Sequence, residues 1–260
     1  MDMISQHVAE PKPLISRPVP LPVAESSQIE DAVYIIAKAQ RPIVVVDEGA
    51  AWGNAGEGVN AIAALGIPVL GNSLGRGLVP EKEPTGFPWP YAQRAAALAD
   101  VVIVVGAKMT MWFGYGKFPR FGENAYFIHI DKSPEAISRN VVVDMPIVAH
   151  PGKTIGAIAR KLKEAGFRHE PQWLVDALVQ RKERISSFVD NEEQSLHQIE
   201  IGSTLEKLLP EDRIVVCDGA DILNFTFGRL RVYRPRSMSG SLSSTLVGHS
   251  VIFCDLLVSE

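Results

Sequence analysis

The chain has 260 residues, 46% hydrophobic and 22% charged, with a formal net charge of -4 and a pI near 5.9. That is enough apolar material for one large or two small cores, and it offers no basic field to gather nucleic-acid phosphates. No apolar run reaches the roughly 20 residues that span a bilayer, and the start Met1-Asp2-Met3-Ile4-Ser5 lacks the basic then apolar plan of a signal peptide. The expectation is a cytoplasmic protein with neither nucleic acid nor membrane as partner.

Residues 1–27 carry Pro11, Pro13, Pro18, Pro20 and Pro22, which deny helix and favour extended chain, so they read as a linker. Gln28 to Gln40 is amphipathic and helical in pattern. The run Pro42-Ile43-Val44-Val45-Val46 is short, β-branched and wholly apolar, as a strand buried on both faces must be. A turn marked by Gly49 and Gly53 follows. Asn54 to Leu65 then reads as helix, Ile67 to Leu70 as strand, Tyr91 to Leu98 as helix and Val101 to Val105 as a second all-apolar strand. Tyr126 to Ile130 and Met145 to Ala149 are the next strands, and Thr154 to Ala165 closes the unit as a helix. Alternating helices and continuous apolar strands require crossovers, hence a doubly wound α/β fold with a parallel sheet over 28–166. Residues 167–204 form a charged helical connector, with Arg181, Lys182, Glu183 and Arg184 at its centre. A second α/β unit starts at Leu205, with a strand Arg213 to Cys217, and 205–260 holds too little apolar surface to enclose a core of its own.

Ligands of open parallel sheets bind outside the carboxyl ends of the strands, where strand order reverses. Four loops qualify. Asp47-Glu48-Gly49-Ala50-Ala51-Trp52-Gly53 offers small residues at a helix start, which suits a nucleotide phosphate or simply a tight turn, and no GxGxxG pattern decides between them. Gly71 to Gly77 is polar and glycine-rich, fitting a ligand loop or an ordinary surface loop. Gly106-Ala107-Lys108 sets a cation beside small residues, and Asp131 puts a carboxylate at a strand end, as ribose hydroxyls require. His129, inside an apolar run, reads as a half-buried structural histidine. Trp112, Phe113, Tyr115, Phe118 and Phe121 form an aromatic loop that reads as packing rather than as a ligand cap. The remaining histidines have no carboxylate or cysteine at ligand spacing, so no metal site is expected. Cys217 and Cys254 read as small buried hydrophobes.

Taken in order, Arg17-Pro18-Val19-Pro20, Arg41-Pro42-Ile43-Val44, Gly49-Ala50-Ala51, Gly75-Arg76-Gly77-Leu78-Val79-Pro80, Ala99-Asp100-Val101-Val102, Gly106-Ala107-Lys108 and Ile128-His129-Ile130-Asp131 resemble the central domain of thiamine-diphosphate (ThDP) enzymes. The likeness runs from residue 1 to about 246. Phe113-Gly114 before Pro119-Arg120 resembles the 2-hydroxyacyl-CoA lyase and oxalyl-CoA decarboxylase branch, and the Arg-Phe-Asp-Asp-Arg motif usual in acetolactate synthases is missing.

The resemblance implies a Rossmann-like domain that holds ADP, FAD or a CoA nucleotide, or serves as scaffold. Gly49 and Ala50 would then face phosphate, Gly106, Ala107 and Lys108 the nucleotide's flank, and Asp131 its ribose. Two departures weaken this: Glu48 stands where the CoA-lyase branch often has Lys, and His150-Pro151 replaces the family's Gly-Asp. The family also implies ThDP and Mg²⁺, held by a glutamate of a pyrimidine-binding domain and by a Gly-Asp-Gly motif with a downstream Asn. Neither occurs in the 260 residues, where Asp218-Gly219-Ala220 stands instead. No catalytic residue is therefore assigned, and no cofactor is expected to bind tightly to this chain. The expectation is a truncated relative, inactive alone, with a frameshift near Val247 that leaves the last residues without selected structure. One alternative is a split enzyme whose partner chain, or a homo-oligomer, completes the site. The other is a free-standing ADP, FAD or CoA module that depends on Asp131.

Overall fold

In the computed structural model, residues 20–82, 85–174, 176–177, 198–218, 229–241 and 250–254 are described. The expectations for residues 1–19, most of the connector (178–197), Gly219-Ala220 and the stretch 242–249 around Val247 lie outside the described residues. So do the side chains of Cys217 and Cys254.

Six parallel strands make the main sheet: β1 (Pro42–Val46), β2 (Val69–Gly71), β3 (Gly86–Pro88), β4 (Val101–Val105), β5 (Tyr126–Asp131) and β6 (Met145–Val148), in spatial order β3-β2-β1-β4-β5-β6. Strand order reverses at β1, which pairs with β2 on one side and β4 on the other. The doubly wound α/β expectation holds. β1 and β4 are buried at every position because both faces are covered, which is why their sequences are unbroken aliphatic runs.

The alternation within each strand sorts the core into two layers. Val44, Val46, Ile103, Val105, Ile128 and Ile130 face the helices α1 (Ser26–Lys38), α3 (Gly56–Ala64) and α5 (Pro151–Glu164). Ile43, Val45, Val102, Val104 and Phe127 face α4 (Trp89–Leu98) and the aromatic loop after β4. Phe113 and Phe121 of that loop pack on Trp89, with ring centroids 4.8 and 5.2 Å away. Packing is thus the role of these two rings, while Trp112, Tyr115 and Phe118 of the same loop stay exposed. Asp100 ties the amino ends of β1 and β4 together by accepting from the Gln40 and Arg41 amides at 2.7 and 2.8 Å.

The sequence reading differs from the structure at two elements. The expected turn after β1 is a short helix, α2 (Glu48–Trp52), closed by the Asp47 side chain accepting from the Glu48 amide at 2.9 Å. The edge strand β3 has three residues and ends in a proline, so periodicity had nothing to register. Ser250–Cys254 forms a strand, β9, antiparallel to β7 (Ile214–Asp218).

The second unit holds α6 (Gln198–Leu208), β7, β8 (Met238–Ser241) and β9, in sheet order β8-β7-β9. Its described core is small: Val215, Leu230, Val232 and Met238, with Leu205 and Leu209 against them. What it lacks in core it gains by leaning on residues 76–82 of the first unit.

Candidate functional site

The crevice where strand order reverses lies between the loops after β1 and β4, and the chain brings all the expected residues there or beside it. Their contacts differ from those of an open ligand cradle. A methyl group on Gly49 would lie 2.6 Å from the Gly106 carbonyl oxygen, and one on Gly106, which has φ +55°, would lie 2.2 Å from the Ala50 nitrogen. The glycines are therefore required for backbone to touch backbone. Ala50 and Ala107 are fully buried.

The amides of this region are largely spent within the protein. Glu48 donates to the Asp47 side chain, Ala50 and Ala51 donate to the Asp47 carbonyl at 3.0 and 3.3 Å, and Gly106 donates to the Ile130 carbonyl at 2.9 Å. Lys108 reaches Glu48 at 3.7 Å, both side chains being half exposed. Asp131 accepts the Ser133 amide at 2.9 Å, the turn that ends β5.

Two titratable groups lie near the crevice: Asp47, to which the sequence reading gave no titratable role, and His129, which it took as structural. Burial pushes the Asp47 carboxyl up to about 7, against the opposing pull of hydrogen bonds from Asn72, at 3.3 Å, and the Glu48 amide. Its signal was present, a carboxylate directly after a fully buried strand. His129 is 1% exposed, with both ring nitrogens unpartnered among the described residues; the Ala107 backbone approaches without good hydrogen-bond geometry. Burial lowers its pKa, and the nearby Asp131 carboxylate only partly restores it. The expected structural histidine is thus more deeply buried than foreseen.

Beside the crevice runs the seam with the second unit. Arg76 and Glu81, both buried, form a bidentate pair: Nε to Oε1 at 2.8 Å and Nη2 to Oε2 at 2.7 Å. Arg76 also donates to the Leu230 carbonyl at 2.6 Å and contacts the Met238 sulfur at 2.9 Å, while Glu81 accepts the Val232 amide at 2.9 Å. No sequence signal marked this pair, because its partners lie about 150 residues away. At the end of α2, Arg236 donates to the Ala51 carbonyl at 3.1 Å and lies over the Trp52 ring at 4.9 Å.

Among the described residues no group of three or more His, Cys, Asp or Glu side chains could hold a metal ion, and no helix is long and apolar enough to cross a membrane.

Residues 29–158 match the family described as thiamine pyrophosphate enzyme, central domain. The chain is 23% identical to human 2-hydroxyacyl-CoA lyase 1, over 84% of this chain and 38% of that protein. It is 26% identical to oxalyl-CoA decarboxylase of Escherichia coli K12, over 85% of this chain and 40% of the relative. With a probable acetolactate synthase large subunit of Methanococcus aeolicus it shares 32% identity, over 50% of this chain and 22% of the relative. The chain thus spans about two fifths of the length of the first two.

Proposed function

From the premise that this chain belongs to the thiamine pyrophosphate enzyme family by its central domain, we propose that it is the central scaffold of a ThDP-dependent lyase or decarboxylase, silent by itself. The observation that carries this reading is the coincidence of the matched stretch, 29–158, with the whole six-stranded sheet. The substrate class is an acyl-CoA thioester bearing a 2-hydroxy or 2-oxo carbon, by likeness to the lyase and decarboxylase relatives, with 2-keto acids as the broader family chemistry.

ThDP supplies the carbanion-stabilising chemistry in such enzymes when bound. The described residues do not fit its magnesium-diphosphate end, since no ligand cluster converges among them, and the sequence has no Gly-Asp-Gly motif followed by Asn. No catalytic step is therefore assigned to them. What this chain contributes is rigidity: a parallel sheet whose central strands are buried on both faces, and a buried ion pair that fixes the segment after β7 against it. A pyrimidine-binding glutamate and a metal motif from outside these 260 residues would complete the site.

The test is a C–C cleavage assay on 2-hydroxyacyl-CoA and oxalyl-CoA with ThDP and Mg²⁺. The chain alone should give no turnover, and activity should appear with a co-expressed partner bearing both motifs. Turnover by the homogeneous chain would sink the reading.

A further inference from the structure

The relatives' chemistry makes a nucleotide diphosphate the obvious guest for the crevice between β1 and β4, yet the residues there do not suit one. A diphosphate needs room, free amides and positive charge. Room is missing, because the Gly49 and Gly106 backbones are already in contact, so closely that neither tolerates a methyl group. Four of the loop amides are already spent: those of Glu48, Ala50, Ala51 and Gly106 donate within the protein. Positive charge is not on offer, since 47–53 and 106–110 contain a single cation, Lys108, which leans on Glu48, and the half-buried Asp47 adds a further carboxyl.

Something else is seated on this end of the sheet. The second unit's segment 229–241 lies against the loops after β1 and β2. Gly77, with φ +76°, leaves space for the Arg234 carbonyl, which a methyl group would meet at 2.2 Å. The Glu81 amide donates to the Val232 carbonyl at 3.0 Å, and the Val232 amide donates to the Glu81 carboxylate at 2.9 Å. Arg236, itself at φ +62°, places its guanidinium on the Ala51 carbonyl and the Trp52 ring. That side chain adds a charged donor to a carbonyl near the end of α2 that already accepts the Asn54 amide.

We infer that the crevice between β1 and β4 is not a diphosphate site and that the β1–β2 side of the same sheet end is the docking seat of the chain's own segment 229–241, with Arg236 as the group that holds the loop after β1. Asp131 then ends a strand and turns the chain, and binds no ribose.

Two measurements on the full chain test this. Equilibrium dialysis with ADP should detect no binding up to about 1 mM. Amide exchange in Arg236→Ala should speed up about tenfold at Gly53 and Asn54, whose amides bond within α2, with the exchange of β4 unchanged. Arg236 is exposed, so the variant keeps its fold. Sub-millimolar ADP binding by the wild type, abolished in Asp131→Asn, would overturn the inference. So would unaltered exchange at Gly53 and Asn54 in Arg236→Ala.

Discussion

Removing one partner of the Arg76–Glu81 pair should cost far more than its place in a surface-facing loop suggests. In Glu81→Ala the guanidinium of Arg76 stays buried and loses both carboxylate bonds, of 2.8 and 2.7 Å, while the Val232 amide loses its acceptor. Breaking a buried pair in this way costs about 3–5 kcal/mol, because a charge is left uncompensated rather than because the pair is strongly stabilising. Arg76→Ala should cost a similar amount by stranding the Glu81 carboxylate and the Leu230 carbonyl. The double alanine variant removes both charges, so it should fall short of the sum of the two by about 2 kcal/mol or more. Urea unfolding, followed by far-ultraviolet circular dichroism and by tryptophan fluorescence, measures all three. If the second unit detaches before the sheet melts, the two probes will separate and the denaturant slope will drop. Single variants that cost under about 1 kcal/mol, or strictly additive ones, would show that the pair is solvated and does not couple the units.

Gly106→Ala forces a side chain into a backbone at positive φ and to within 2.2 Å of the Ala50 nitrogen. The expected loss exceeds the roughly 1–2 kcal/mol of left-handed strain alone, read as a fall in the urea midpoint; an unchanged midpoint would mean the two loops part freely. Asp47 has a folded pKa raised from 3.8 to about 7, so the folded state keeps a proton that the unfolded chain releases. Its contribution therefore falls as pH rises through that window, by at most about 4 kcal/mol, less for the surface it keeps accessible. Asp47→Asn should flatten the pH dependence of stability between pH 4 and 7, and parallel curves for variant and wild type would refute the buried-carboxyl argument. His129 works in the opposite sense: burial holds its folded pKa below the ordinary histidine 6.5, so stability is lost as pH falls beneath that value. His129→Leu should abolish this acid-side loss in melts between pH 5 and 7, and persistence of the loss would assign it elsewhere.

The sequence was most informative where a strand's two faces share one fate. Pro42–Val46 and Val101–Val105 declare themselves as central parallel strands because cover on both sides demands short unbroken aliphatic runs. From those runs and the helices between them came the doubly wound sheet, and the family resemblance followed from the loops at their ends. Periodicity was silent on β3, which is three residues long, and on α2, whose five residues depend on the Asp47 cap. It was silent too on the fate of the crevice. Gly49 and Gly106 look the same in sequence whether their missing side chains make room for a phosphate or for each other, and only the distance between two loops almost sixty residues apart decides. The seam was equally hidden, since Arg76 and Glu81 become a clasp only when residues 230–238 arrive on top of them. Local pattern fixes which face of an element is buried, but which backbone group spends its hydrogen bond on which partner is set by long-range packing, and on that the character of the site depends.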